Sequence, residues 1–147
     1  MRNAVYVLFL CVCASACSGP IGPIPGGALE GEEIAWPEDW SFTDKVENVL
    51  LQTGREEPYS VTIWCVTSEN TLYFAAADKK SHWVQNINDN SKVVLSVDTR
   101  LIRGTASMVT ESAEAEPVIQ AYLEKYEIDS RDDFVQEDGL LFRLSKP

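Results

Sequence analysis

Apolar and polar residues alternate in several short segments of the chain, and this period of two predicts β-strands. The first segment covers residues 59–67 (YSVTIWCVT) and the second covers residues 71–77 (TLYFAAA). The polar turn at residues 68–70 makes this pair a predicted hairpin. Three further segments show the same alternation: residues 93–97, 101–110 and 140–144.

Two segments change to a helical period. Residues 78–88 place Trp83 and Ile87 on one face, and either Asp78 or Ser81 can cap the start of this helix. Residues 111–128 predict a longer helix, in which Pro117 is tolerated because it lies in the first turn.

Residues 40–54 fit a helix or a strand, and the pattern leaves both open. The order of the clear elements is strand, strand, helix, strand, strand, helix, strand. Hairpins dominate, so we expect a mainly β, α+β fold with a mostly antiparallel sheet. Closing that sheet into a barrel would remove its exposed edges. Within it, Gly104 is a candidate β-bulge, and Thr99 with Arg100 can form a tight turn.

The N-terminus carries one positive charge at Arg2, an apolar run over residues 4–13, and small residues before Cys17. This order is typical of a secretory signal, and the run is shorter than the roughly 20 residues that span a bilayer. The cysteine after Ala-Ser-Ala resembles the lipobox of bacterial lipoproteins, although Ala14 stands where that family usually has Leu. The resemblance implies lipidation at Cys17, and plain secretion is the alternative.

We therefore divide the chain into a lipoprotein signal peptide (residues 1–16), a Gly/Pro-rich tether (residues 17–35) and a folded domain (residues 36–147). The expected location is the cell envelope. By analogy with the sorting of bacterial lipoproteins, the absence of Asp after Cys17 implies the outer membrane, facing the periplasm, if the source is Gram-negative. After signal removal and lipidation only Cys65 remains, so we expect no intrachain disulfide and a buried Cys65.

The formal net charge is −11, from 12 basic and 23 acidic side chains. This balance argues against sequence-independent binding to nucleic acid, which needs cations to displace phosphate counterions. It also argues against adsorption to an anionic membrane surface. We therefore expect no nucleic-acid partner and membrane attachment through the lipid anchor only.

Most familiar catalytic motifs are missing. The chain has one histidine, His82, so neither a zinc cluster nor a typical Ser-His-Asp hydrolase is expected. No phosphate-cradling or dinucleotide-binding glycine motif occurs. We therefore predict no metal site and name no catalytic acid or base.

One turn has the composition of an anion site. Lys79, Lys80 and Ser81 stand where a strand gives way to a helix, and helix starts favour anions. A phosphate is the natural ligand for such a turn. The alternative is a solvated turn with an ordinary helix cap.

The pattern of residues 36–144 resembles the split-barrel flavin-binding superfamily, the pyridoxamine 5′-phosphate oxidase-like proteins. The segments that carry this resemblance are YSVTIWCV, TLYFAAADKKSHWVQNI, SKVVLSV, LIRGTASMV and LLFRL. It implies an antiparallel six-stranded split β-barrel with two flanking helices. It also implies a homodimer that binds FMN, or a related flavin, at the subunit interface.

Residue by residue, the resemblance implies three groups of cofactor-binding residues. Those along the flavin ring would be Ser60, Thr62 and Trp64. Close backbone approach would be given by Ala76 and Ala77. The phosphate would be held by Lys79, Lys80 and Ser81, with Trp83 packed nearby.

Three functions follow as expectations. The first is a possible FMN-dependent oxidoreductase tethered to the cell envelope. The second is a non-catalytic split-barrel module that binds a flat ligand, either flavin or haem. The third is an envelope interaction lipoprotein without a small ligand. The sequence does not distinguish FMN from deazaflavin or haem, and it names neither substrate nor electron donor.

Overall fold

The computed structural model describes residues 18–147. The predicted signal peptide and the proposed lipid site at Cys17 lie outside the described residues.

Within residues 18–147 the structure contains eight strands, three α-helices and one 3-10 helix. The strands are β1 (Glu32–Glu33), β2 (Val49–Thr53), β3 (Tyr59–Ile63), β4 (Cys65–Ser68), β5 (Thr71–Ala76), β6 (Lys92–Val97), β7 (Arg100–Met108) and β8 (Leu140–Ser145). The helices are α1 (His82–Asp89), α2 (Ser112–Lys125) and α3 (Arg131–Phe134), and the 3-10 helix is Ser41–Thr43.

The main sheet has the order β3-β2-β6-β7-β8-β5-β4, and each of these pairings is antiparallel. Its two outer members, β3 and β4, are consecutive in the chain and are separated only by Trp64. The continuous segment β3–Trp64–β4 therefore forms both edges of the curled sheet and closes it into a barrel. Counting β3 and β4 as one bent strand gives six strands, so the predicted antiparallel split barrel is confirmed.

Alternate residues along the strands direct mainly apolar side chains into the barrel core. The open choice at residues 40–54 resolves into the 3-10 helix and strand β2, which buries Val49, Leu51 and Thr53. Strand β3 and Cys65 likewise contribute one face to the main core, as the period of two predicts. Helix α1 adds Trp83, Val84 and Ile87 to that core, while α2 packs on β4 in a second cluster.

Two local predictions are wrong. Gly104 is not a bulge, because β6 and β7 keep a regular register with Val93 opposite Gly104. A Cβ at Gly104 would lie 2.7 Å from the end of the Leu144 side chain and 3.0 Å from the carbonyl oxygen of Ser145, so a larger residue would require Leu144 to shift. The turn between β6 and β7 consists of Asp98 and Thr99, both with positive φ, rather than Thr99 and Arg100.

The chain before Trp36 also contacts the barrel. Gly26 exchanges two backbone hydrogen bonds with Ser60, and Leu29 is buried. Strand β1 pairs in parallel with the start of β7. The composition of this segment predicts a free tether, but backbone hydrogen bonds need no core-forming side chains. The ordered structure therefore begins earlier than the predicted boundary at residue 36.

Helix α3 overlaps the polar segment of residues 129–133, whose composition favours a loop, and it extends one residue further to Phe134. Its start is capped by Ser130, whose side chain accepts a hydrogen bond from the backbone N–H of Asp133. None of the helices in residues 18–147 is long and apolar enough to cross a membrane.

Candidate functional site

An apolar groove of about 740 Å³ opens at the point where β3 gives way to β4. The end of β5 and the start of β8 form its floor, and α2, α3 and the segment after α3 form its other wall. Its lining residues include Thr62, Ile63, Trp64, Ala75, Ala76, Ala77, Ile119, Tyr122, Phe134, Val135 and Leu141.

The indole of Trp64 is the largest flat surface in this groove. It is 44% exposed, and one of its faces stacks on the ring of Tyr126 with 4.2 Å between centroids and 10° between planes. An aromatic ring fixed from behind in this way offers its free face to another flat molecule.

Helix α2 holds the chain open at Trp64. The interruption between β3 and β4 leaves backbone groups of Trp64 and Cys65 without strand partners. Three side chains at the end of α2 form hydrogen bonds with these groups. Lys125 Nζ donates to the carbonyl of Cys65 at 2.7 Å, and Tyr122 Oη donates to the carbonyl of Trp64 at 3.2 Å. Tyr126 Oη accepts from the N–H of Cys65 at 3.0 Å. The break is therefore a stabilised feature of the fold.

Small residues form much of the floor of the groove. Ala75, Ala76 and Ala77 follow one another at the end of β5, and Gly139 precedes β8. A Cβ at Gly139 would lie 3.1 Å from the carbonyl oxygen of Gln136, which is tighter than ordinary contact. The groove therefore combines one aromatic wall with a floor of small residues.

An ion pair lies next to one end of the groove. Lys79 Nζ is 2.5 Å from a carboxylate oxygen of Asp138, and the N–H of Lys79 donates to the carbonyl of Asp138 at 2.9 Å. The hydrogen bond and charge of Asp138 raise the pKa of Lys79. Asp138 therefore already neutralises part of the positive charge that would attract an anionic ligand.

The rest of this turn is open to solvent. The N–H of Lys80 donates to the Asp78 carboxylate, and the Lys80 side chain forms no ion pair within residues 18–147. Ser81 occupies the N-cap position of α1 without a side-chain capping hydrogen bond. The Ser81 hydroxyl and the Lys80 ammonium are therefore free to bind a ligand.

The structure separates the predicted site residues into three places. Thr62, Trp64, Ala76 and Ala77 line the groove. The turn that begins two residues after Ala77 carries Lys79, Lys80 and Ser81.

The third place is away from the groove. Trp83 is in the core, where it packs against Phe74 and Phe142. Ser60 is fully buried beside Gly26, and its hydroxyl has no hydrogen-bond partner in the described part of the chain. Their predicted roles beside a cofactor stay predictions.

Sequence patterns missed the α2 side of the groove. In the helix predicted over residues 111–128, the spacing of Tyr126 indicates only a place on the apolar stripe, and Lys125 stands out by no pattern. Both act on Cys65 across about sixty positions of sequence.

Two titratable groups near the groove are unsuited to acid–base chemistry near neutral pH. Cys65 is a free, fully buried cysteine, as predicted, and burial raises the pKa of its thiol to about 11. Burial also raises the pKa of Tyr126 to about 12. Across residues 18–147 no group of three His, Cys, Asp or Glu side chains is arranged to hold a metal ion.

Solved structures with the same arrangement of strands support this view of the fold. The heme storage protein HutZ of Vibrio cholerae aligns with a TM-score of 0.60 at 20% identity, over 73% of this chain and 86% of that one. A proposed pyridoxamine 5′-phosphate oxidase of Listeria innocua aligns with a TM-score of 0.54 at 12% identity, over 71% and 86%. The chain has the pyridoxamine 5′-phosphate oxidase-like split-barrel fold.

A FAD-binding protein of Mesorhizobium loti also has this split barrel, with a TM-score of 0.50 at 15% identity, over 68% of this chain and 78% of that one. No protein-family model matches the sequence, and no curated protein matches it either. The split-barrel likeness at these identities concerns the fold, and a fold alone does not determine function.

Proposed function

We propose that the Trp64 groove binds a flat conjugated cofactor, with FMN as the ligand and oxidoreduction as the activity. The observation that carries this proposal is the half-exposed indole of Trp64, held parallel to Tyr126 above a floor of small residues. A groove of about 740 Å³ is within the range of small-molecule sites.

The residues at hand fit the two parts of FMN to different degrees. The ring system suits the apolar walls and the free face of Trp64. The phosphate would be held by Lys80, Ser81 and Lys79. Lys79 is shared with Asp138, so the phosphate side of the site is weaker than the ring side.

Flavin supplies hydride or electron transfer when it is bound, and the protein binds, orients and shields it. In this chain Trp64 and Tyr126 would orient the ring, because their stacked pair fixes one plane. Thr62, on the same strand face as Trp64, offers a hydroxyl at the groove wall. Lys125 would act indirectly by holding the backbone that aims Trp64.

Haem is the second candidate, and the likeness to the Vibrio cholerae heme storage protein favours it. Against it stands the composition of the groove, whose described lining contains no His, Cys or Met. These residues are the usual axial ligands of haem iron, together with Tyr. The one lining tyrosine, Tyr122, is buried with its hydroxyl donated to backbone carbonyls. The likeness to the FAD-binding split barrel agrees with the flavin choice.

We also propose a homodimer and a tether to the cell envelope. Trp64 and Val135 leave apolar surface exposed at the groove, and a second subunit would shield it together with the ligand. Cys17 would carry the lipid, placing the barrel at the outer membrane, facing the periplasm, if the source is Gram-negative. Replacing Cys17 by Ser would then move the protein from the membrane to the soluble fraction, whereas unchanged membrane association would contradict lipidation.

A visible absorption spectrum of the purified protein, followed by titration with FMN and with haemin, tests the proposed ligand. We expect flavin bands or saturable FMN binding. A strong near-ultraviolet haem band would favour the haem-binding module instead. A colourless protein that binds neither compound would contradict both and leave an envelope interaction protein.

A further inference from the structure

Residues 18–27 form a compact β-hairpin outside the barrel. Ile21 and Ile24 exchange two backbone hydrogen bonds of 3.0 Å around the turn at Gly22 and Pro23. Gly22 has a φ of +56°, a backbone conformation that glycine adopts without strain. At the base, the N–H of Gly27 donates to the carbonyl of Ser18 at 2.6 Å.

The base of this hairpin is fixed to the barrel. Gly26 N–H donates to the Ser60 carbonyl at 2.9 Å, and Ser60 N–H donates to the Gly26 carbonyl at 2.8 Å. Gly26 also packs so closely on Gly19 and Pro20 that a Cβ would collide with their backbone. The hairpin therefore holds a defined position next to strand β3.

Its tip is apolar and exposed. Ile21 is 66% exposed and Ile24 is 64% exposed, the two highest values among large apolar side chains in residues 18–147. Pro23 and Pro25 are exposed as well, and the first charged residue after Cys17 is Glu30. Two exposed isoleucines side by side on an uncharged tip are unusual in a chain with a net charge of −11.

We propose that the Ile21–Ile24 tip inserts into the interfacial layer of a lipid bilayer. This inference rests on the tether of the proposed function, because Cys17 is four residues before Ile21. Four residues of chain reach at most about 14 Å, so an acylated Cys17 would keep the tip at the membrane surface. Interfacial segments bury their apolar side chains about 5–10 Å deep, and this depth suits two isoleucine side chains.

Lipid is a better occupant than an acidic or basic protein partner, because the tip has no charge to pair. The acidic barrel would be repelled by anionic lipids, so we expect the contact on zwitterionic membranes. The contact would also orient the groove, since Ser60 and Thr62 lie two residues apart on the strand that joins hairpin and groove.

Fluorescence quenching in vesicles tests the inference. The mature chain, acylated at Cys17 and reconstituted in phosphatidylcholine vesicles, would carry Ile24→Trp, and the matched control would carry Met108→Trp at an exposed apolar residue outside the hairpin. The emission above that of the unmodified chain is then compared between ordinary lipids and lipids brominated in their acyl chains. We expect loss of the added emission for Ile24→Trp and no loss for Met108→Trp.

The outcomes separate the hairpin from the tether. Protein that floats with the vesicles but keeps the full Ile24→Trp emission in brominated lipid would overturn the inference while leaving the tether intact. A blue-shifted but unquenched emission would show that protein, for example a second copy, covers the tip, and would also overturn it. Protein that does not float at all would refute the tether, and the inference with it, without bearing on ligand binding.

Discussion

The ammonium group of Lys125 lies 2.7 Å from the carbonyl oxygen of Cys65 and 3.0 Å from that of Thr43. A single side chain at the end of α2 thus joins the 3-10 helix to the broken strand. Its charge strengthens both hydrogen bonds, and both acceptors are partly shielded from water. This contact explains how the barrel tolerates an interrupted strand beside its groove.

Replacing Lys125 by Met should lower the free energy of unfolding by about 2–3 kcal/mol, since a hydrogen bond to a charged group contributes about 1.5–3 kcal/mol. Urea unfolding followed by circular dichroism measures this change. Lys45→Met is the matched control, because Lys45 is exposed and forms no ion pair within the described chain. Equal stability of the two variants would contradict the role given to Lys125.

The Lys79–Asp138 pair makes a second prediction. Asp138→Asn should raise the affinity for FMN relative to riboflavin, because it frees the Lys79 ammonium for the phosphate that only FMN carries. The double variant Lys79→Ala, Lys80→Ala should weaken FMN binding by about 2–4 kcal/mol and leave riboflavin nearly unchanged. Isothermal titration of both ligands measures the difference. Equal effects on FMN and riboflavin would remove the phosphate site from this turn.

The buried thiol of Cys65 should make the free energy of unfolding fall at alkaline pH. The folded thiol has a pKa of about 11, while an unfolded thiol titrates near pH 8.5, so the folded state holds the proton more tightly. The stabilisation is complete below about pH 8.5 and disappears as pH rises toward 11, for a total of about 3 kcal/mol.

Unfolding measured from pH 8 to 11 checks this slope. Cys65→Ala should be flatter than the native chain over the same range, because the titrating group is gone. Tyr73 and Tyr126, whose pKa values burial raises to about 12, remain in both proteins and act at higher pH. Identical slopes in the two proteins would contradict the assignment to Cys65.

Local patterns predicted the elements that local patterns can specify. The period of two along β3 placed Thr62 and Trp64 on one face, and the structure places both in the groove. The change of period after Ala77 marked the turn and helix α1 correctly. Such features depend on neighbours in the sequence, so the sequence alone contains them.

The missing parts depend on distant contacts. Tyr126 accepts a hydrogen bond from the N–H of Cys65, about sixty residues earlier in the chain, and no local spacing pattern predicts this contact. The hairpin attaches to Ser60 through the backbone of Gly26, so its side-chain composition predicts only a flexible linker. For Trp83 the sequence allowed two positions. Its place on the apolar face of the helix predicted a core position, and its nearness to the lysine turn fitted a position beside a phosphate. The structure places Trp83 in the core.

The most direct test of the central claim is FMN titration of the native chain, Trp64→Phe and Trp64→Ala, followed by quenching of flavin fluorescence. The account predicts saturable binding to the native chain, near-native binding to Trp64→Phe, and a loss of about tenfold for Trp64→Ala, since aromatic stacking contributes about 0.5–1.5 kcal/mol beyond buried area. Equal FMN affinity in all three proteins, or no binding to any of them, would contradict it.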